Sequence, residues 1–331
     1  MQLLRKLAFP ISLVYALVVY IRNFLFDIGF FKVKSFGTTT ICVGNLSVGG
    51  TGKTPMIEFL IELLKDSYKV AVISRGYRRK SKGYVLARSE SKIEELGDEP
   101  YQIHSKFPGI TVAVDEDRCR GILNLEKGIK PDVILLDDAF QHRKVKPTYS
   151  ILLTAFGKLY PFDWYLPTGD LRDSKKEAKR ADLIIVTKCP ANLSENEQTK
   201  IVDLLEPKDH QHVLFSYLNY SEKLKGDGRA LMLSQLLGKK VTLVTGIADA
   251  KPLVAYLMDL GINMAHLEYK DHHFFTSSEI ALFNSSAFVL TTEKDYVRLK
   301  GKVKNLFYIS VKHGFMNEDK AFLMNALKKI M

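Results

Sequence analysis

One stretch constrains the fold more than any other: Ile41-Cys42-Val43-Gly44-Asn45-Leu46-Ser47-Val48-Gly49-Gly50-Thr51-Gly52-Lys53-Thr54-Pro55. An apolar run of strand type enters a glycine-rich turn, and the turn ends in Gly-Lys-Thr ahead of a helical pattern from Met56 to Leu64. Strand, loop and helix start follow in the order a P-loop requires. Glycines let the backbone N–H groups of Ser47, Val48, Gly49, Gly50, Thr51, Gly52, Lys53 and Thr54 converge on one anion, and the helix N-terminus adds its positive end. Lys53 is expected to reach the β- and γ-phosphates, and the Thr54 hydroxyl to hold Mg²⁺. Ser47 stands where the pattern usually opens with Gly, a small replacement that leaves three glycines in the loop.

Short apolar runs alternate with helical patterns beyond this loop. Val70–Ser74, Gly109–Val114, Val133–Asp137, Ser150–Thr154 and Asp182–Thr187 read as buried strands, and 56–65 and 194–205 as helices. Near-continuous Val/Ile/Leu strands separated by helices indicate a parallel sheet covered on both faces. The expected fold is therefore α/β, a P-loop NTPase-like parallel sheet covered by helices, with a second smaller α/β domain. The boundaries read as an N-terminal apolar segment at 1–35, a P-loop domain at 36–206, a linker with a strand pair at 207–230, and a C-terminal α/β domain at 231–331.

The N-terminal segment has fifteen uncharged residues, Leu7 to Ile21, after Arg5 and Lys6. That is short of the ~20 residues a spanning helix needs, and no small-residue cleavage site follows. On a helix, Ser12, Ala16, Val19, Asn23 and Asp27 share one narrow side and large apolar residues take the rest. Three arrangements are open: a helix at the bilayer interface with its polar stripe against the protein, a buried core helix, and a true span. Basic flanks at Arg5, Lys6, Arg22, Lys32 and Lys34 suit anionic head groups.

Pro131–Leu136 runs into Asp137-Asp138, an apolar strand with an acidic end. Beside a P-loop this is a Mg²⁺-holding strand; alternation along it predicts that only one of the two acids faces the metal. Gly97-Asp98-Glu99-Pro100 is either a helix cap or a reactive acid. Lys270-Asp271-His272-His273 is either a satisfied loop, a metal fragment without a third ligand, or a partner for an acid of the other domain on closure. The basic loop Ser74–Lys82 either grips substrate phosphate or is a solvated face, and Arg172 in the turn-rich 166–173 loop either reaches transferred phosphate or lies in a surface turn. Thr187-Lys188-Cys189-Pro190 ends a strand where many P-loop proteins contact the base.

A net charge of +11 points to a polyanionic partner. Basic residues are dispersed and show no aromatic-basic RNA-binding pattern, so nucleic acid is not expected. Three scattered cysteines imply no disulfide framework.

Together these segments resemble the tetraacyldisaccharide 4′-kinase family of the lipid A pathway. The resemblance is carried by Val43–Pro55, Ser74-Arg-Gly-Tyr77, Gly97-Asp-Glu-Pro100, Asp137-Asp138 with Phe140-Gln141-His142, Leu171-Arg172, Thr187–Pro190, Val244-Thr-Gly-Ile247, Asp271-His272 and Thr292-Glu-Lys-Asp295. It implies ATP-dependent phosphorylation of the 4′-hydroxyl of a tetraacyl glucosamine disaccharide 1-phosphate, at the cytoplasmic face of the bacterial inner membrane. By resemblance Asp98 is the catalytic aspartate that takes the hydroxyl proton and His272 the partner that orients it, Lys53 and Arg172 act on the phosphoryl group, and Thr54, Asp137 and Asp138 hold Mg²⁺. Arg75, Tyr77, Glu99, Gln141 and His142 fall on the acceptor side, residues 7–31 associate with membrane, and a monomer is expected. The chain departs from the family pattern at Arg78, Ala139, Thr168, Asp170, Asp173 and Asp249-Ala250. Two other readings are a soluble P-loop kinase or GTPase for a small substrate, and a nucleotide-gated assembly factor.

Overall fold

The computed structural model describes residues 5 and 7–331, so Lys6 of the expected basic flank lies outside the described residues. The strands are β1 (Thr39–Asn45), β2 (Val70–Ser74), β3 (Val85–Leu86), β4 (Thr111–Val114), β5 (Val133–Asp137), β6 (Tyr149–Ala155), β7 (Leu183–Thr187) and β8 (His212–Tyr220). There follow β9 (Lys223–Gly226), β10 (Ala230–Met232), β11 (Val241–Thr245), β12 (Met264–Glu268), β13 (Val289–Thr292), β14 (Leu306–Ile309) and β15 (Val311–Phe315). One sheet has nine strands in the order β15-β8-β7-β6-β1-β5-β2-β4-β3, and the other six, in the order β10-β9-β14-β13-β11-β12.

Strands β1, β2 and β4–β8 run parallel. Their side chains alternate between two buried clusters, with Cys42, Ile134 and Leu136 in one and Ile41, Val43, Val133 and Leu135 in the other. Such a sheet is buried on both faces, which is why its strands read as unbroken apolar runs rather than as alternation. β5 lies beside β1 with Val43 opposite Asp137, so the acidic strand end sits next to the start of the glycine-rich loop. Ligands of open α/β sheets bind at the carboxyl ends of the strands, and both features are there.

The order of the chain in the two sheets departs from the expected boundaries. β8, placed by sequence in the 207–230 linker, pairs in parallel with β7 and belongs to the first sheet. The chain end also returns to that sheet: β15 pairs antiparallel with β8, and Leu323 and Leu327 of the helix Asp319–Lys328 join its core. Only Ser310 separates β14 from β15, so one apolar run in the sequence holds two strands of different sheets, and periodicity alone does not divide it.

The helix Phe9–Asp27 is 19 residues long and apolar. Its buried residues are Ser12, Val19 and Asn23, whereas Ile11, Val14, Leu17, Val18 and Tyr20 are all more than half exposed. The polar stripe therefore faces the protein. Ser12 donates to the Thr168 hydroxyl (2.8 Å), Asn23 to the Asp173 carboxylate (2.8 Å), and Arg143 to Asp27 (2.6 Å). Pro10 sits in the first turn, where its missing N–H costs nothing.

Candidate active site

The glycine-rich loop is held open from three sides. Gly52 precedes the helix Lys53–Leu64 with φ of +84°, a left-handed conformation that glycine adopts without strain. Pro55 falls in the first turn of that helix, where no backbone donor is needed. From β15, the buried His313 approaches the Gly52 carbonyl with Nε2 (3.0 Å). Asn45 donates to the Thr51 hydroxyl (2.9 Å), and the Thr187 hydroxyl donates to the Thr51 carbonyl (2.8 Å). On the third side, Ser47 donates to Asp163 (2.8 Å) and the Val48 amide to the Asp170 carbonyl (2.7 Å). Val48, Gly49, Gly50, Thr51, Gly52, Lys53 and Thr54 line a cavity of about 970 Å³ between the two sheets.

Asp137 and Asp138 both line this cavity, against the expectation that alternation would turn one away. The strand ends at Asp137, and Asp138 takes a left-handed φ of +48°, so the period of two no longer applies. Asp137 accepts from the Ser74 hydroxyl (2.9 Å), while its Oδ1 is buried with no hydrogen-bond partner. Burial first, then the charges of Glu99 and Asp138, push its carboxyl up to about 7. Asp138 is held by a forked contact from the Arg172 guanidinium, and Lys53 Nζ stands 3.8 Å away. Burial opposes its charge, but Lys53 and Arg172 outweigh burial and bring it down to about 2. Arg172 also donates to the Asn45 side-chain carbonyl (2.5 Å), so its guanidinium is committed to the loop in this state.

Gly97, not Asp98, caps the helix Asp98–Lys106, and no capping bond from a side chain is made. A Cβ on Gly97 would meet the Tyr77 carbonyl at 2.8 Å, and one on Gly76 the Leu96 carbonyl at 2.7 Å. Both glycines have positive φ, so the Ser-Arg-Gly-Tyr and Gly-Asp-Glu-Pro segments pack backbone to backbone where no side chain fits. That packing aims Asp98 across to the second sheet. Its Oδ2 lies 2.7 Å from His272 Nδ1 and also accepts from the buried Arg298. Burial raises the Asp98 carboxyl, but the His272 and Arg298 contacts prevail and hold it at about 2. Asp98 is therefore an anion throughout the working range.

His272 lines the cavity and sits at φ of +60°, an unusual conformation for a side-chain-bearing residue and one that concentrates at functional sites. Its Nε2 lies 3.0 Å from Lys294 Nζ. An ammonium only donates, so Nε2 accepts from Lys294; Nδ1 has the Arg298 guanidinium at 3.3 Å but the Asp98 carboxylate closer, at 2.7 Å, which favours Nδ1–H donating to Asp98. Lys294 also reaches Asp271 (3.1 Å) and Glu99 (3.3 Å). Glu99, Arg75, Tyr77, Gln141 and His142 all line the same cavity. The Tyr77 ring meets the His272 ring edge-on at 5.1 Å, and Gln141 donates to the Asn45 carbonyl (2.7 Å). Burial, reinforced by Arg118, pushes the His142 imidazole down to about 4, which keeps it neutral.

Three participants escaped the sequence reading. Arg298 carries no motif; only its place one helical turn after Asp295, to which it donates (3.2 Å), hints at a shared face. Lys294 lies inside the Thr-Glu-Lys-Asp segment but had no role there. Arg118, buried between Asp115 and the Asp137 carbonyl, follows an ordinary Asp117 cap.

The lobes are also joined by Lys106, which bonds Glu58 (2.7 Å) on the loop helix and Glu293 (2.6 Å) of the second lobe. One ammonium cannot balance two buried carboxylates; burial and then Glu293 push Glu58 up to about 7. Gln102 donates to Glu58 while its own Oε1 is buried without a partner; turned over, that amide would accept a hydrogen bond from the protonated Glu58. A folded-state pKa above the unfolded value means stability present at low pH that is lost as pH rises through about 7. Glu58→Gln, which mimics the protonated form, should match the parent below about pH 4.5 and exceed it at pH 8 by about 1–3 kcal/mol. Thermal unfolding across that range checks this; parallel stability curves would refute it.

A phosphate-cradling loop, a pair of acids beside it and an anion-supported imidazole facing them define a P-loop phosphotransferase. The model of the tetraacyldisaccharide-1-P 4′-kinase family matches residues 4–331. A tetraacyldisaccharide 4′-kinase of Flavobacterium johnsoniae is 46% identical over 100% of this chain and 98% of its own length. One from Bacteroides thetaiotaomicron is 44% identical over 89% of this chain and 83% of its own. Among solved structures, the Aquifex aeolicus LpxK in complex with ATP is similar with a TM-score of 0.79 and 33% identity, covering 99% of both chains. The chain belongs to the tetraacyldisaccharide-1-P 4′-kinase family, and is thus a kinase with an alcohol acceptor.

Proposed function

We propose that this chain transfers the γ-phosphoryl group of ATP to the 4′-hydroxyl of a tetraacyl glucosamine disaccharide 1-phosphate in lipid A synthesis. The carrying observation is the hydrogen bond between Asp98 of one lobe and His272 of the other, with His272 facing the cavity that the phosphate loop lines. Family membership supports the acceptor, and the ATP held by the similar Aquifex aeolicus enzyme supports the donor.

The phosphate loop and Lys53 cradle the β- and γ-phosphates and offset charge that builds during transfer. Mg²⁺ fits Thr54, Asp137 and Asp138, since the unpartnered buried oxygen of Asp137 is a ligand in waiting; when bound it neutralises charge between the phosphates. Arg172, which shares the Asp138 carboxylate with Lys53, adds its positive charge on the same side of the cavity. A sugar hydroxyl is a weak nucleophile at neutral pH and needs a positioned proton acceptor. Asp98 is strongly held as an anion, which makes it a poor base but a good support for His272. With Nδ1–H on Asp98, His272 Nε2 takes the proton once the Lys294 ammonium turns from it to Glu99 and Asp271, which it already reaches; Asp98 then orients the ring, the reverse of the division of labour suggested by resemblance. Arg75, Tyr77, Glu99, Gln141 and His142 bind the acceptor head group. An acceptor whose 4′-hydroxyl is replaced by hydrogen should bind and take no label; transfer to it would place the chemistry elsewhere.

The exposed apolar side of the helix Phe9–Asp27 meets the cytoplasmic leaflet of the inner membrane, and the basic surface adds a second attraction. A monomer suffices, because two lobes of one chain complete the site. Val14→Asp with Leu17→Asp alters only exposed positions and forfeits apolar contact worth about 3 kcal/mol or more. Flotation with anionic vesicles should then fall by more than about a hundredfold in partition. Unchanged flotation would exclude this docking face.

A further inference from the structure

We propose that Asp117, Cys119 and His142 form a second metal site, for a borderline-soft divalent cation of the zinc class, beside the acceptor side of the cavity. One ligand atom from each residue lies within 4.8 Å of the others, and His142 Nε2 stands 3.9 Å from Asp117 Oδ1. Ligand atoms around a tetrahedral zinc stand roughly 3.5 Å apart, so a small contraction completes the set, with a fourth position left for water.

Two of the three ligands are rigidly placed. Asp117 caps the helix Arg118–Gly128, its Oδ1 accepting from the Cys119 amide (2.9 Å), which fixes acid and thiol on one turn. His142 is held by its backbone amide, which donates to the Ala139 carbonyl (2.8 Å). Its Nε2 is buried with no hydrogen-bond partner, an arrangement that costs free energy unless something binds there. Cys119 is half-buried, and its thiol makes a single long contact to the Lys144 carbonyl (3.6 Å). A thiolate and a carboxylate neutralise a dication, so the neighbouring lysines do not oppose it. A sulfur–nitrogen–oxygen set selects zinc, cobalt or related ions over magnesium and calcium, which keeps this site distinct from Thr54, Asp137 and Asp138.

Occupancy would engage His142 Nε2 and so withhold that nitrogen from the acceptor. That consequence for turnover rests on the acceptor role proposed above; the binding itself does not.

The test is titration of the full-length protein with Co²⁺ in the presence of saturating Mg·ATP. The expected result is a thiolate-to-cobalt charge-transfer band, absent in Cys119→Ser, with metal affinity lowered about a hundredfold or more in both Cys119→Ser and Asp117→Asn. Zn²⁺ should displace the cobalt and, in turnover, inhibit the parent more than Cys119→Ser. No thiolate band, or a band that survives in Cys119→Ser, would overturn the site. Zinc binding without differential inhibition would leave the site standing and remove its link to His142 and the acceptor.

Discussion

His272→Ala lowers kcat by roughly 10²- to 10⁴-fold, the usual contribution of a positioned proton acceptor, with the KM for ATP changed little. Asp98→Asn falls by a comparable factor, and the double variant by no more than the worse single one, because the two residues act as a unit. Asparagine is the informative replacement for Asp98. Alanine would leave the buried Arg298 with Asp295 as its remaining carboxylate partner and an empty position where Asp98 stood, and the lost hydrogen bond and cavity would confuse lost chemistry with lost stability. Asparagine keeps an acceptor oxygen for both Arg298 and His272 while removing the charge that supports an imidazolium. If His272→Ala turned over normally while Asp98→Asn did not, proton transfer would revert to the carboxylate. Full additivity of the two would mean that they do not act through one hydrogen bond.

Lys53→Ala reduces kcat by about 10²- to 10³-fold or more, the loss seen when one donor aimed at developing charge is removed. Its neighbours explain why a smaller effect is not expected. Arg172 is bound to Asp138 and Asn45, and Lys294 to Glu99, Asp271 and His272. Neither stands in for Lys53 without abandoning its own partners. Lys53→Arg should recover little, because a planar fork does not fill the place of a compact ammonium. Single-turnover measurement separates this loss from any change in nucleotide binding; a near-normal rate for the alanine variant would dissociate the glycine-rich loop from the chemistry.

Much of this site is legible in the sequence because it is local. The loop from Ser47 to Thr54, the strand into Asp137 and the glycines at 76 and 97 each carry their geometry in their own residue types. The inverted amphipathicity of the N-terminal helix is also local: a narrow polar stripe of Ser12, Asn23 and Asp27 meets the protein, and the broad apolar side does not.

What sequence misses is long-range. Arg298 finds Asp98 from 200 residues away, and Lys106 joins Glu58 to Glu293 across lobes; no spacing rule reaches so far. β15 returns to a sheet that β8 seemed to leave, because a single serine between two apolar runs does not announce a change of sheet. Asp138 defeats the alternation rule by leaving the strand in a left-handed conformation, which only the backbone reveals. The proposed exchange of roles between Asp98 and His272 likewise rests on long-range neighbours, Lys294 at Nε2 and Arg298 at Asp98.

Transfer of γ-labelled phosphate from ATP to a tetraacyl disaccharide 1-phosphate in mixed micelles tests the whole account most directly. The label should appear as a new monoester at the 4′ position, and should vanish when His272 is replaced. Label released only as inorganic phosphate, at a rate indifferent to the lipid, would contradict it.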